Sequence, residues 1–197
     1  MNLNAKLKPT LLALLFGASV AHAEVRTFKI SGTVVQSTPT APAGSKVIGT
    51  FSYDTSAQPS YTIGDSSGRG YGNSNYSLPA KFELKVNAHT ISSDFFYVDV
   101  VNNFGGNVED SVSAYGTPMT MDGTHFGQGS FGFYLATGPG KKHVLRSTEL
   151  PDRLPVKRYD ATLSYGWVNA DGSGNGTLLS FSIDRIKVLQ EADDADE

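Results

Sequence analysis

The sequence predicts an all-β fold, an antiparallel β-sandwich or jelly roll with about eight to eleven strands and little helix. Three observations point to this fold class. Apolar and polar residues alternate with a period of two, which turns one face of each strand to the core and the other to solvent. Glycine contributes 21 of the 197 residues, and only 18% of the positions are charged. Turn-forming residues separate the apolar runs at short intervals.

The alternation identifies the strands in order along the chain. Phe28 and Ile30 belong to the first strand, and residues 81–86 alternate strictly between charged and apolar side chains. Residues 95–101 are almost continuously apolar, which predicts a central strand covered on both faces. The same alternation returns at residues 131–135, 163–167 and 181–188.

Two irregular features are expected near the C-terminal end. A register break at Asp184-Arg185 predicts a β-bulge in the last strand. Residues 147–159 contain Pro151 and Pro155, so they predict a short helix or an irregular crossing instead of a strand.

The N-terminal segment has the features of a secretory signal peptide. Two lysines precede an apolar run at residues 11–21, and residues 21–23 (AHA) give the small-x-small pattern of a cleavage site. The run is too short for a bilayer span, which needs about 20 residues. We therefore expect residues 1–23 to be removed and residues 24–190 to form one β-sandwich domain. The alternative is a buried N-terminal helix.

Removal of this segment changes the charge balance. Without Lys6 and Lys8 the chain carries 14 basic and 19 acidic residues, a net charge of −5 instead of −3. Five of the acids lie in residues 191–197, so residues 24–190 hold 14 residues of each sign. Acidic tails of this kind are usually solvated and disordered, and this one is also a candidate calcium collector. A neutral body argues against nucleic acid as a partner.

Cysteine is absent from the chain, which excludes disulfides, a cysteine-ligated metal and a lipoprotein anchor. No stretch after residue 23 has the length and apolar character of a membrane span. The sequence therefore predicts an exported, soluble protein of the periplasm or the extracellular space, with no membrane insertion after signal cleavage.

Six short stretches occur in a fixed order over most of residues 24–189. They are residues 30–34 (ISGTV), 47–56 (VIGTFSYDTS), 82–86 (FELKV), 100–103 (VVNN, with Asp110 shortly after), 131–135 (FGFYL) and 145–151 (LRSTELP). In this order they resemble the exported β-sandwich domains of bacterial proteins that carry a PEP-CTERM sorting tail.

That resemblance implies a secreted, single-domain sandwich associated with the cell surface or the extracellular matrix. It brings no established enzymatic activity and no catalytic residues. The chain departs from the family pattern at its end, where acidic residues stand in place of a Pro-Glu-Pro motif, an apolar helix and basic residues. We therefore expect release as a soluble protein.

Residues 58–79 form a long segment in which Tyr61, Tyr71 and Tyr76 lie among glycine, serine and asparagine. This composition is typical of adaptable recognition loops. The alternatives are a mobile surface loop and an extra edge hairpin. Because exposed aromatic side chains with hydrogen-bonding neighbours suit glycan binding, the three tyrosines are candidate ligand-binding residues.

Trp167 is the fourth candidate ligand-binding residue, and Tyr165 and Tyr159 are further members of the same hypothetical platform. The alternative for Trp167 is a place in the core, because it ends an alternating strand.

Residues 64–68 (GDSSG) match the G-x-S-x-G motif of serine hydrolases, with Ser66 as the nucleophile. No helix is predicted after them, so a chance match is the better explanation. The histidines of the mature chain, His89, His125 and His143, lack the spacing of metal ligands. We predict no catalytic residue and no metal ligand from these motifs.

Carboxylates could in principle form a glycosidase pair among Asp94, Asp99, Glu109 and Asp110, which would require two of them to face each other. Asp99 lies in an apolar strand and needs a polar partner. An edge-facing position or a hydrogen bond to the backbone explains it better than catalysis.

Asn169 and Asp171 imitate the start of a calcium loop, but Ser180 replaces the acid expected at its twelfth position. A hairpin between the two last strands is the simpler interpretation. Calcium is the one cofactor hypothesis that the sequence offers.

The sequence thus predicts a non-enzymatic protein with a structural or interaction role at the bacterial cell envelope or in the extracellular matrix. The alternative is a carbohydrate-binding module that uses the tyrosines of residues 58–79, and a hydrolase is the third hypothesis. The expected partners are extracellular polysaccharide or another envelope protein.

Overall fold

The computed structural model describes residues 24–64, 71–103, 110–139, 143–171 and 176–189. This part of the chain contains 13 strands, one 3-10 turn at Val156–Arg158 and no α-helix. The strands are β1 Val25–Val34, β2 Lys46–Asp54, β3 Tyr61–Gly64, β4 Gly72–Leu78, β5 Phe82–Val86, β6 His89–Ser93, β7 Phe96–Asn102, β8 Ser111–Gly116, β9 Met119–Met121, β10 Thr124–Phe126, β11 Ser130–Ala136, β12 Tyr165–Asn169 and β13 Thr177–Leu189.

The predicted all-β antiparallel class is confirmed, with more strands than expected. The additional ones are the shortest, β3, β9 and β10, which have three or four residues each. Alternation needs at least four residues to be recognised, so the sequence could not reveal β9 and β10. Strand β3 lies in the segment for which an extra edge hairpin was one of the predicted alternatives. The predicted signal peptide and the acidic tail lie outside the described residues.

The strands form a single antiparallel sheet that folds over on itself. Its order is β10-β9-β6-β5-β2-β1-β13-β12-β11-β8-β7-β4-β3. The first layer runs from β10 to β1, the second from β12 to β3, and β13 pairs with both β1 and β12. Ring contacts connect the two layers across the core, because Phe51 of β2 lies 5.4 Å from Phe133 of β11 and Phe82 of β5 lies 4.8 Å from Phe131 of β11.

A β-bulge helps β13 pass from one layer to the other. Ser31 pairs with Arg185 and Gly32 pairs with Ile183, so Asp184 has no partner across the ladder. This confirms the predicted register break. A bulge bends the strand and increases its twist, which fits a strand shared by two layers.

Residues 143–164 close the side of the sandwich near β2 and β4. Tyr53 Oη donates a hydrogen bond to the Pro151 carbonyl oxygen at 2.6 Å, and Tyr76 Oη donates one to the Thr148 carbonyl oxygen at 2.8 Å. Leu150 is buried beside them. We call this segment the strap. It confirms the irregular crossing with a short helical turn that the prolines predict.

The carboxylate of Asp110 fixes the start of the strap. It is fully buried, and its Oδ2 accepts hydrogen bonds from the backbone N–H groups of Val144 at 2.6 Å and Leu145 at 2.9 Å. Its Oδ1 accepts a third from the N–H group of Asn103 at 3.2 Å. His143 Nδ1 lies 3.7 Å from the same Oδ1. These bonds compensate for the loss of hydration of the buried charge.

Candidate functional site

The outer face of the second layer carries most of the exposed aromatic surface of the described chain. Side chains alternate along each strand, so residues between the core-facing positions point away from the core. On β3, β7, β8, β11 and β12 many of these positions are aromatic. We call the resulting surface the aromatic face; its rings are Tyr61, Tyr97, Tyr115, Tyr134, Tyr165 and Trp167.

Strand register aligns these side chains in rows across the sheet. One row contains six directly paired residues, Tyr165, Tyr134, Ser113, Asp99, Asn75 and Tyr61. At a strand spacing near 4.8 Å this row is about 24 Å long. It is therefore an extended surface and not an enclosed pocket.

The rings form two groups on either side of a glycine. Tyr165 lies 5.9 Å from both Tyr134 and Trp167, and Tyr115 stacks on Tyr97 at 5.3 Å with 24° between the ring planes. Gly132 pairs with Trp167 on one side and with Tyr115 on the other. Gly132 is itself buried, so the backbone between the two aromatic groups is covered and not open to solvent.

Gly132 has a steric reason to be glycine. A Cβ atom there would lie 2.1 Å from the Ala114 carbonyl oxygen and 2.7 Å from the Tyr115 Cα atom. Both are backbone atoms, so any side chain at this position would push β8 and β11 apart.

Asp99 supplies the one charge in the six-residue row. Asn75 Nδ2 donates a hydrogen bond to Asp99 Oδ1 at 2.7 Å, and Ser113 Oγ donates one to Asp99 Oδ2 at 3.4 Å. These are the polar partners that a carboxylate in an apolar strand requires. The carboxylate retains acceptor capacity for a ligand, because each oxygen has two lone pairs.

The surroundings of Tyr115 raise the pKa of its phenol to about 12. Burial is the largest cause, and the negative charge of Asp99 is the second. The unfolded phenol ionises near pH 10. As the pH rises from about 10 to 12, the unfolded state therefore loses its proton first, and the stability that Tyr115 contributes falls.

Asp99→Asn is expected to lower the pKa of Tyr115 while leaving it above 10. The substitution removes the carboxylate charge but not burial, which is the larger cause. The measurement is an NMR titration of tyrosine labelled with 13C at Cζ, with Tyr115→Phe to assign the signal. An unchanged Tyr115 pKa in Asp99→Asn would contradict the proximity of the two side chains.

Two of the four predicted ligand-binding residues belong to the aromatic face. Tyr61 is 48% exposed on β3, and Trp167 is half-buried on the outer side of β12. Tyr165, at 51% exposed, is the most accessible ring of the face. Tyr71 is also exposed and lies just before β4, near Gly64 at the end of the β3–β4 hairpin.

The prediction for Tyr76 is wrong. This side chain is only 2% exposed, because it lies on the core-facing side of β4 and its hydroxyl bonds the strap. Tyr159 is likewise buried, and burial raises the pKa of its phenol. Residues 58–79 include the edge hairpin β3–β4, which was one of the two alternatives to a recognition loop.

Three rings of the face were missed by the sequence interpretation, namely Tyr97, Tyr115 and Tyr134. Each lies between two buried residues of its strand, as Tyr134 does between Phe133 and Leu135. The available signal was therefore the position of each tyrosine between two apolar residues, because alternate residues of a strand point to opposite faces. The strand at residues 95–101 is fully covered on one face only, contrary to expectation, since Tyr97, Asp99 and Val101 are half-buried on the other.

The remaining candidates do not assemble a second chemical site in the described part of the chain. Asp110 is occupied by backbone N–H groups, which removes it from a catalytic pair. His89 Nδ1 lies 2.6 Å from Asp122, whose pKa is lowered mainly by that contact. Among the described residues there is no group of three His, Cys, Asp or Glu side chains that could hold a metal.

Two motifs lie partly outside the described residues. Ser66 of the G-x-S-x-G match lies outside the described residues. Gly64 ends β3 and pairs with Gly72 of β4, so the elements that flank the motif are antiparallel strands. In the calcium-like stretch, Asp171 Oδ1 accepts a hydrogen bond from the Gly176 N–H group at 3.2 Å, next to the β12–β13 pairing. Calcium binding there remains a hypothesis.

Comparison with protein-family models, curated proteins and solved structures finds no match to this chain. The resemblance to sandwich domains of PEP-CTERM proteins therefore stays a prediction. No helix in the described ranges is long and apolar enough to cross a membrane.

Proposed function

We propose that this is an exported, non-enzymatic β-sandwich protein that binds polysaccharide through the aromatic face, at the bacterial cell envelope or in the extracellular matrix. The observation that carries the proposal is that six aromatic side chains lie on one outer sheet face, three of them in the same row as a hydrogen-bonded carboxylate. This combines the two leading hypotheses from the sequence, because binding a matrix glycan is itself an interaction role.

The chemistry of the surface favours sugars. A pyranose ring has an apolar face of C–H groups and a rim of hydroxyl groups. Tyrosine and tryptophan offer a flat apolar surface with a polar tip, and the half-buried carboxylate of Asp99 can accept hydrogen bonds from hydroxyl groups along the row. The aromatic rings therefore complement the C–H face of the sugar, and the polar groups complement its hydroxyl rim.

The shape and charge of the face favour an extended, neutral chain. The row crosses six strands, which suits several consecutive sugar units more than a single small molecule. Its one charged side chain is the acidic Asp99, so an anionic polymer would be repelled there.

The rest of the proposal follows from the sequence features. Export relies on residues 1–23, and the protein acts as a soluble molecule without a cofactor. Another envelope protein is the competing partner, because an exposed flat sheet face with aromatic rings can also bind protein.

The test is retention of the purified protein on a panel of insoluble neutral polysaccharides. We expect Trp167→Ala to weaken binding about tenfold, because a large ring loses the apolar area that it buries against sugar. Tyr165→Ala should weaken binding in the same direction. The measurement is the dissociation constant from depletion of protein at increasing polysaccharide.

The control is Ile48→Ala, since Ile48 is 45% exposed on β2 in the other layer. It should bind as tightly as the unaltered protein. Absence of binding to every polysaccharide, or equal binding by Trp167→Ala and Ile48→Ala, would refute the proposal. If the unaltered protein captures an envelope protein and Trp167→Ala does not, the aromatic face binds protein instead of polysaccharide.

A further inference from the structure

We propose a second binding site on the outer face of the first layer, a flat cationic surface that binds a carboxylate-bearing, acidic polysaccharide. Strands β13, β1, β2 and β5 form this surface and are neighbours in that order. We call it the basic face; its cations are Lys29, Lys46, Lys81, Lys85, Arg185 and Lys187. It shares no residue with the aromatic face, so the proposal does not rest on the proposed function.

Strand register places three of these cations side by side on the outside of the sandwich. Lys29 lies between the buried residues Phe28 and Ile30 of β1, so its side chain points away from the core. It pairs directly with Lys187 of β13, and Arg185 lies two residues before Lys187 on the same side of that strand. All three cations are exposed.

The charge of the basic face is only partly neutralised. Lys81 Nζ lies 2.8 Å and Lys85 Nζ lies 3.2 Å from the carboxylate oxygens of Glu83. Lys46 Nζ lies 3.6 Å from Asp184 Oδ2. The other three cations form no ion pair and no side-chain hydrogen bond within the described ranges; they are Lys29, Arg185 and Lys187.

Lys29 and Lys187 face each other with no carboxylate beside them. Directly paired residues of antiparallel strands have Cβ atoms about 5 Å apart, and like charges at such positions are destabilising. The other cross-strand neighbour of Lys29 is Thr50 of β2, which is uncharged. Asp54, the remaining acid at an outer position of these four strands, ends β2 and accepts hydrogen bonds from Ser56. A bound carboxylate would therefore relieve a repulsion that the sheet leaves uncompensated.

The side chains among the cations favour a polysaccharide over a membrane or a nucleic acid. Most of them carry hydroxyl groups, which can exchange hydrogen bonds with the hydroxyl groups of sugars; they are Thr27, Ser31, Thr33, Thr50 and Ser52. Exposed apolar residues are scattered, with Ile48 inside the face and Val25 and Leu189 at its end, so a bilayer finds little continuous apolar surface. No outer position of β1, β2, β5 or β13 holds an aromatic ring on which a base could stack.

The dimensions of the face suit a linear polymer. Neighbouring strands are about 4.8 Å apart, which is close to the length of one sugar unit in an extended chain. One row across the four strands begins and ends with a cation; it contains Arg185, Ser31, Ile48 and Lys85. The guanidinium group of Arg185 can bind a planar carboxylate with two parallel hydrogen bonds. A polymer with a carboxylate on every unit would thus meet several cations of the face at once.

The experiment is isothermal titration of the purified full-length mature protein with polygalacturonate, with its fully methyl-esterified form as a ligand control. We expect polygalacturonate to bind, the ester to bind at least about tenfold more weakly, and the affinity to fall as the salt concentration rises, because surface charges are screened. The double substitution Lys29→Gln and Lys187→Gln should weaken polygalacturonate binding by about tenfold or more.

The matched control is the double substitution Arg146→Gln and Arg158→Gln. It also removes two exposed cations without an ion pair in the described part of the chain, but these lie on the strap, and the affinity should stay unchanged. Absence of binding, equal binding of the ester, or equal losses in the two double variants would overturn the proposal. Lys29→Gln with Lys187→Gln removes a repulsion, so it should not lower the melting temperature.

Two further arms separate the basic face from competing explanations. Duplex DNA or phosphatidylglycerol vesicles that bind as tightly as polygalacturonate, and that lose binding in the Lys29→Gln and Lys187→Gln variant, would assign the face to another class of ligand and overturn the proposal. A variant that ends at Leu189 lacks the five carboxylates of residues 191–197, which repel an anionic ligand or compete with it. It should bind polygalacturonate at least as tightly, and weaker binding would contradict a cationic site.

The two proposed sites fail independently in these experiments. Trp167→Ala should reduce binding of neutral polysaccharide and leave polygalacturonate binding intact, and Lys29→Gln with Lys187→Gln should do the opposite. Loss of both activities in either variant would contradict the separation of the sites.

Discussion

Replacing Asp110 by alanine is expected to lower the free energy of unfolding by about 4 kcal/mol, because three backbone N–H groups lose a charged acceptor. These groups belong to Asn103, Val144 and Leu145, and the carboxylate that they bind is fully buried. Asp110→Asn should cost less, since one amide oxygen remains to accept a hydrogen bond. Urea unfolding followed by far-UV circular dichroism measures both variants.

Asp94→Ala is the matched control for that prediction, because Asp94 is exposed. It should change the free energy of unfolding by less than about 0.5 kcal/mol. A loss below about 1 kcal/mol in Asp110→Ala would show that the strap does not depend on this carboxylate.

Phe82→Ala is expected to lower the free energy of unfolding by about 3–5 kcal/mol. Phe82 is fully buried, and its ring contacts Phe51 of the first layer and rings of the second layer at centroid distances of 4.8–6.4 Å. Removal of the ring leaves a cavity at the junction of the two layers that the neighbours cannot fill. Calorimetry or denaturant unfolding gives the loss.

Phe95→Ala tests whether this loss depends on position. Phe95 is half-buried, and the ring contact that it makes is with Tyr97 at 5.1 Å. Phe95→Ala should therefore lower the free energy of unfolding by less than half as much as Phe82→Ala does. Similar losses in the two variants would contradict the assignment of Phe82 to a shared core.

The sequence was sufficient to predict the fold class, because a period of two is a local property. Strands such as β5 and β11, and the bulge at Asp184, appear in the pattern of successive residues. The pattern of successive residues does not show that one sheet folds into two layers, since this depends on β13 pairing with both β1 and β12.

The candidate site was harder to predict because alternation does not say which side faces the core. In β12 the large residues Tyr165 and Trp167 point outwards and Gly166 faces inwards. A Cβ atom at Gly166 would lie 2.1 Å from the ring of Phe181. The core side of β12 is thus already filled by β13, and the large rings must take the outer side. This long-range contact cannot be read from residues 163–167.

The most direct test of glycan binding by the aromatic face uses the fluorescence of Trp167, the only tryptophan in the chain. Neutral oligosaccharides should shift its emission to shorter wavelength in a saturable manner, because a sugar placed on the half-exposed ring removes water from it. Tyr134→Ala should weaken that response. Emission that stays unchanged with every neutral oligosaccharide up to saturating concentration would contradict the account.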